Sequence, residues 1–372
     1  MLQTLKIEKF RGFKEFKLHN LGRLNLLVGT NNSGKTSILE AIQLLRSRKD
    51  LSVLASAMDA RGEYLWNEQK DKTLDIRHLF YEHEVEPGQS FAIMGFTNGN
   101  SDKITGSIYL GKSDSNDRQA TLFDAADSEE AWSEPAVLKF NLEWENRGDV
   151  LGWQRSLSSD GGLRWDDVRP LRFSKISKIE DGTRTQFVSS SALQSREMIE
   201  LFDKIVLEPE ETLVQQAIRI IEPNIERIAS LGSRRYSSRS REGFVIRLSN
   251  SHQRVPIGSM GDGTWRMLGL ALAAVGASGG VLLVDEIDTG LHFTAMSDMW
   301  KLIWETAKKL DIQVFATTHS SDCWSSLASI ASREDAKEEG ITIQRIEKGK
   351  QKAVAFSEHE IVLAAERNIE VR

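Results

Sequence analysis

The stretch Gly29-Thr30-Asn31-Asn32-Ser33-Gly34-Lys35-Thr36 matches the phosphate-binding loop pattern in full, between the apolar run Leu24 to Val28 and the helical stretch Ser37 to Ile42. Strand, glycine turn and helix thus come in the order that such a loop requires. Gly29 and Gly34 let the backbone curl so that N–H groups, from Asn31, Asn32 and Ser33 through Ser37, point into one hollow, to which the helix start near Lys35 adds its positive end. A nest of this kind binds polyphosphate. Lys35 is expected to meet the β and γ phosphates of ATP, and the Thr36 hydroxyl to hold Mg²⁺.

Val281-Leu282-Leu283-Val284-Asp285-Glu286 is an apolar run suited to a strand buried on both faces, ending in two carboxylates. Asp285 is expected behind the Mg²⁺, and Glu286 is expected to orient and deprotonate the water that attacks the γ-phosphate. Upstream, Gly258 to Gly263 precedes the helical run Trp265 to Leu272, so backbone amides and a helix start face outward as a second anion site through Ser259, Gly261 and Gly263. With one phosphate loop in the chain, that second helix start makes best sense if it addresses the nucleotide held by another copy. Asp288-Thr289-Gly290-Leu291-His292 follows, and Val314 to His319 reads as a strand ending in a histidine able to sense the γ-phosphate.

Together these motifs resemble the ATP-binding-cassette (ABC) ATPase set of Walker A, signature, Walker B, D-loop and switch histidine. Leu5 to Phe13 is similar to the N-terminal strand of the soluble branch that contains RecF, the SMC proteins and the overcoming-lysogenization-defect (OLD) ATPases, and Asn31 to Thr36 is that branch's Walker A dialect. The resemblance covers residues 1–80 and 240–330. It implies an α/β P-loop NTPase fold of ABC type with a mainly parallel sheet, catalytic roles for Glu286 and His319, D-loop contact from Asp288, Mg²⁺ at Thr36 and Asp285, and a homodimer or higher oligomer formed through the ATP sites. Asp262 departs from the pattern, standing where glycine is usual; an anionic side chain beside a phosphate is unfavourable unless it points away or meets Mg²⁺. For the Q-loop, Gln43, Gln186 and Gln194 stay open as alternatives.

The 372 residues, 40% hydrophobic and 27% charged, allow a large core and an accessory domain. A net charge of −6 gives no global basic field to draw the chain onto nucleic acid. The single Cys323 excludes an intrachain disulfide and a multi-cysteine zinc site, and no signal-peptide pattern opens the sequence, so a reducing cytoplasm is expected. Met267 to Val284 lacks charge over a length at which a membrane span is considered, but Gly276 to Gly280 breaks it into a buried helix and a buried strand.

In chain order, alternation predicts a hairpin over the first twenty residues, a helix after the phosphate loop, and a second helix over Leu51 to Met58. Asp75 to Phe80 looks like a stretch that follows Walker A in OLD-like ATPases, and His78 within it reads as a packed structural histidine. From Phe91 to Val188 the period becomes two: Leu138 to Trp144 is the clearest strand, Ile104 to Leu110 and Leu151 to Leu157 are weaker ones, and Gly111 to Pro135 is a polar loop. Met198, Phe202 and Ile205 mark one helix, and Val214, Ala217 and Ile221 another that Pro223 stops. They occupy the place of the SMC coiled coils without a sustained heptad run. Arg234 to Arg241 is a basic cluster read first as a solvated loop. A helix over Trp324 to Ile330 and a hairpin over Ile341 to Phe356 finish the chain.

The expected domains are an N-terminal ATPase lobe (1–80), an inserted β region with a short helical hairpin (81–230) and a C-terminal ATPase lobe (231–372). Longer OLD relatives continue into a TOPRIM nuclease domain, for which the residues after His319 leave no room. The resemblance therefore implies an ATPase subunit of a two-protein prokaryotic system, in antiviral defence, that serves a separate effector such as a TOPRIM-type nuclease. The alternatives are a RecF-like repair ATPase that contacts DNA directly and an ATP-held scaffold; no membrane partner is expected.

Overall fold

Short runs rich in apolar residues, most of them fully buried, build the sheet that carries the phosphate loop. The computed structural model describes residues 1–48, 50–66, 72–112, 136–158, 160–168, 184–191, 193–231, 243–249 and 253–372. Two compact units emerge: Met1–Thr4 with Leu18–Leu39 and Asp181–Arg372, and Leu5–Lys17 with Glu40–Glu180.

In the first unit the strands run in the order Thr185–Val188, Val281–Val284, Gln313–Thr317, Leu24–Val28, Ile341–Arg345, Val354–Phe356. The first five are parallel, and Val354–Phe356 closes the edge antiparallel to Ile341–Arg345. Every residue of Leu24–Val28, Val281–Val284 and Gln313–Thr317 is buried, as expected of parallel strands covered on both faces. Buried polar groups on these strands are satisfied. Asn25 accepts from the Gly22 N–H at 2.9 Å and donates to Gly22 O and Val314 O, and Gln313 bonds both backbone groups of Leu2.

The strand Gln313–Thr317 lies between the phosphate-loop strand and the Walker B strand, with Thr317 opposite Leu27 and Ala316 opposite Val284. That register brings the ends of three strands to one rim. Behind them, Asp262–Gly276 is buried along almost its whole length, and Phe244 joins it to the neighbouring helix through T-shaped contacts with Phe202 and Trp265. The uncharged stretch from Met267 divides as expected into this helix and the strand Val281–Val284; among the described residues no helix is long and apolar enough to cross a membrane. The helices Ser195–Asp203 and Glu211–Ile221 appear where the apolar stripes place them, the second capped at Glu222 just before Pro223.

The second unit holds a six-stranded sheet in the order Phe13–Leu18, Thr4–Phe10, Ser90–Thr97, Asn100–Lys112, Ala136–Asn146, Asp149–Ser156. The strands after Phe91 thus continue the sheet that the opening hairpin begins. Phe10, Phe80, Phe91 and Phe140 cluster on it, with ring centroids 5.2 to 6.1 Å apart. The second predicted helix is present at Ser52–Ala60. Residues 113–135 and the cluster Arg234 to Arg241 lie outside the described residues. One expectation is corrected: the His78 side chain is 40% exposed, its Nε2 3.4 Å from Asp75 and its Nδ1 3.4 Å from His83 Nδ1, so it is not packed in a core.

Candidate nucleotide site

The phosphate loop is shaped by positions that only a bare or left-handed backbone can occupy. Gly29 has φ +145°, and a Cβ there would stand 2.4 Å from Ile346 O; Gly34 has φ +97° and Asn32 φ +60°. Lys35 opens the helix Lys35–Ser47 and is 6% exposed. Its ammonium donates to Gly29 O at 2.8 Å and Thr30 O at 2.9 Å and lies 3.4 Å from His319 Nδ1. Burial lowers it to about 8, against the opposing pull of Asp285 and Glu286. Ser33 Oγ is buried without a hydrogen-bond partner. An unpartnered hydroxyl inside a glycine-shaped loop, beside a lysine, suits a phosphate oxygen.

Thr36 Oγ1 donates to the Asp285 carboxylate at 3.2 and 3.1 Å. A hydroxyl and a carboxylate side by side are the hard oxygen donors that Mg²⁺ takes, leaving the rest of its shell to water and phosphate. From the intervening strand, Thr317 Oγ1 donates to Asp285 Oδ1 at 2.7 Å and accepts the Glu286 N–H at 2.8 Å. Glu286 itself is left-handed, φ +48°. Its Oε2 accepts from Thr289 Oγ1 at 3.3 Å, and its Oε1 is 3.8 Å from His319 Nε2. The His319 ring therefore stands between Lys35 and Glu286, one nitrogen toward each.

Ser259 is exposed in the short helical turn Ile257–Met260, which Ile257 anchors in the core. Gly261 follows with φ +85° and open space around it, and a Cβ on Gly263 would meet Gly290 O at 3.3 Å. Asp262 is the first residue of its helix, where a negative charge complements the positive end of the helix dipole. Asp288 accepts from Thr318 Oγ1 at 2.6 Å, so the loop after Glu286 is tied to the end of the strand Gln313–Thr317 in its own chain. The structure thus brings Lys35, Thr36, Asp285, Glu286 and His319 together, and of the glycine turn it places Gly263 beside Gly290. Of the glutamines, Gln186 pairs opposite Leu282 in the edge strand, Gln43 lies in the phosphate-loop helix and Gln194 caps Ser195–Asp203.

Two residues in contact with this constellation are not singled out by the sequence motifs. Thr317 lies in the strand leading to His319, inside no motif of its own. Arg266, a lone charge in the apolar run Trp265 to Leu272, is 3% exposed and donates to Ser189 O at 2.6 Å and to Asp285 O and Glu286 O at 2.9 Å. Its position as the single ionic residue of that run is the signal that could have found it.

A family model described as "AAA domain, putative AbiEii toxin, Type IV TA system" matches residues 24–322. An ATP/GTP phosphatase of Helicobacter pylori is 21% identical over 344 residues, covering 87% of this chain and 86% of that protein. The DNA replication and repair protein RecF of Acinetobacter baumannii is 54% identical over 44 residues, 12% of each chain. A solved Smc head domain with an extended coiled coil, bound to the C-terminal domain of ScpA and derived from Pyrococcus furiosus, aligns over 99% of each chain at 14% identity with a TM-score of 0.48.

Proposed function

Because the chain belongs to this AAA-domain family and is an ABC-type ATPase, we propose that it binds ATP with Mg²⁺ and hydrolyses it at the rim where Lys35, Thr36, Asp285, Glu286 and His319 meet. The observation that carries this reading is the cross-strand arrangement of Thr36, Asp285, Thr317 and Glu286. Lys35 meets the β and γ phosphates, and the amides of Gly29 to Ser37 surround them. Thr36 and Asp285 would hold Mg²⁺, which when bound polarises the phosphate oxygens. Glu286 orients the attacking water and accepts its proton, while His319, between Lys35 and Glu286, contacts the γ-phosphate.

On this reading two copies share each nucleotide, with Ser259, Gly261 and Gly263 of one chain completing the loop of the other. The finer assignment is to the OLD-like branch, as the ATPase subunit of an antiviral system whose effector, such as a TOPRIM-type nuclease, is a separate protein. The motif dialect supports it. Co-purification of the native complex tests that partnership, and full effector activity from this chain alone would sink it. A second reading, direct DNA clamping, is favoured by the local RecF match; salt-dependent filter binding by the purified chain separates the two.

The site itself is tested with Lys35→Ala. Removing a charged partner of the triphosphate should weaken binding of an ATP analogue by several kcal/mol, on the scale of about 2–5 kcal/mol for a buried charged contact. Unchanged binding by calorimetry would defeat the assignment.

A further inference from the structure

Arg266 has no place in the motif set, yet it is the charged group most deeply engaged with the Walker B turn. It sits in the first turns of Asp262–Gly276, and its guanidinium reaches three carbonyls: Ser189 O, just past the edge strand, and Asp285 O and Glu286 O, just past the Walker B strand. Ser189 O and Asp285 O lie just past their strands, Glu286 O also accepts the Thr289 N–H at 3.0 Å, and the planar, forked guanidinium bridges all three carbonyls. Burial lowers the guanidinium to about 10, which leaves it charged at neutral pH, where the carboxylates of Asp288, Asp285 and Glu286 favour its charge.

The consequence falls on Glu286. Its peptide is held on both sides: Thr317 Oγ1 accepts the N–H at 2.8 Å, and the C=O takes Arg266 at 2.9 Å beside the Thr289 N–H of its own turn at 3.0 Å. A side-chain-bearing residue at φ +48° is held in a region it rarely adopts unless its surroundings enforce it. Freed of either clamp, the backbone can relax, and a small rotation at Cα moves the carboxylate away from the attacking water.

We infer that Arg266 is a positioning residue that holds Glu286 in its hydrolytic geometry and ties it rigidly to the glycine turn Gly261–Gly263 at the start of the same helix. This rests on the proposed ATPase site. It deepens that reading, because the turn that would read the partner's nucleotide and the turn that presents the chain's own catalytic carboxylate are then joined through one side chain. Each copy would adjust its own Glu286 according to whether its partner holds ATP.

The test compares Arg266→Met, Arg266→Lys and the native chain in steady-state hydrolysis and in equilibrium binding of a fluorescent ATP analogue, with thermal melting as the check on folding. Expected are binding within about threefold of native for both variants and a kcat lowered at least about thirtyfold in Arg266→Met, because a lost positioning contact acts on turnover and not on uniform binding. Arg266→Lys keeps a charge able to reach some of the carbonyls and should recover part of that loss. A folded Arg266→Met that hydrolyses ATP within threefold of native overturns the inference. So does an Arg266→Lys in which binding and kcat fall in parallel, the signature of a merely structural role; should Arg266→Met not fold, that lysine variant decides. Lys35→Ala is run alongside: if it binds and hydrolyses normally, the site assignment fails whatever Arg266 does.

Discussion

Thr36 donates its hydroxyl hydrogen to the carboxylate of Asp285, 249 residues further along the chain, at 3.1 Å. The contact joins the first turn of the phosphate-loop helix to the end of the Walker B strand across the intervening strand Gln313–Thr317. The hydroxyl and the carboxylate proposed to hold Mg²⁺ are therefore adjacent. Thr36→Ala should raise the Mg²⁺ concentration needed for half-maximal hydrolysis by about tenfold, the loss of one inner ligand or its orienter. Binding of metal-free ATP should change little. A Mg²⁺ titration that superimposes on the native curve would exclude Thr36 from the metal.

Glu286→Gln keeps the shape and one hydrogen-bonding oxygen of the side chain but loses basicity. Analogue binding should survive while kcat falls on the order of 10²-fold or more. His319 Nε2 lies 3.8 Å from the same carboxylate, so near-normal turnover in this variant would move the base to another group, with His319 first in line.

Lys35 predicts a pH dependence with a definite sign. Its folded value is about 8 and its ordinary value 10.5, with burial as the cause. Phosphate favours the ammonium, so binding raises the value and takes up a proton once the free protein has lost it. Affinity should be flat below about pH 7 and fall by up to about tenfold per pH unit above about 8. For folding the sign is reversed: the unfolded chain holds this proton more tightly between about 8 and 10.5, so Lys35 contributes a stability that rises through that window. Calorimetry at several pH values checks the binding arm, and constant affinity up to pH 9.5 contradicts it.

Much of this rim was legible in the sequence because each motif is a local pattern with its own strand or helix beside it. Gly29 to Thr36, Val281 to Glu286 and the strand leading to His319 are patterns of that kind. The bonds between them are not. Thr317 acts through a hydroxyl whose meaning depends on being opposite Leu27 in one neighbour and next to Asp285 in the other, a register no local pattern prints. The pairing of Thr4–Phe10 with Ser90–Thr97 is hidden for the same reason: alternation gives each strand its faces but not its neighbour. His78 was misread because its companion, His83, arrives through a turn in which Glu82 and His83 are both left-handed.

A buried ionic group in the second unit predicts stability. Arg11 Nε is 2.8 Å from Glu40 and its Nη1 2.6 Å from Glu63, while Arg61 Nε is 2.6 Å from Glu40, whose side chain is 7% exposed. Glu40→Ala leaves the buried Arg11 with only one of its two carboxylates. The expected cost is about 3–5 kcal/mol, the range for breaking a buried pair from one side. Denaturant unfolding reads it directly, and a loss below about 1 kcal/mol would mean that water reaches the cluster.

Each chain has one phosphate loop, which grips one side of a triphosphate. Ser259 is exposed and Gly261 has open space around it, so the start of Asp262–Gly276 would supply a second anion-reading surface. A two-fold pair of chains gives that surface a nucleotide to read and creates two equal sites. Ser259→Arg should then block ATP-dependent pairing by placing bulk opposite the partner's nucleotide, while its own phosphate loop still binds ATP. Mixing Ser259→Arg chains with Lys35→Ala chains provides the decisive assay. In a mixed pair the Lys35→Ala chain lends an intact Ser259 turn to the intact phosphate loop of the other chain, rebuilding one site of two. Hydrolysis should reappear in the mixture at up to about a quarter of the native rate, since about half the pairs are mixed and each has one working site of two. If Ser259→Arg alone hydrolyses ATP normally as a monomer, the sites are not shared.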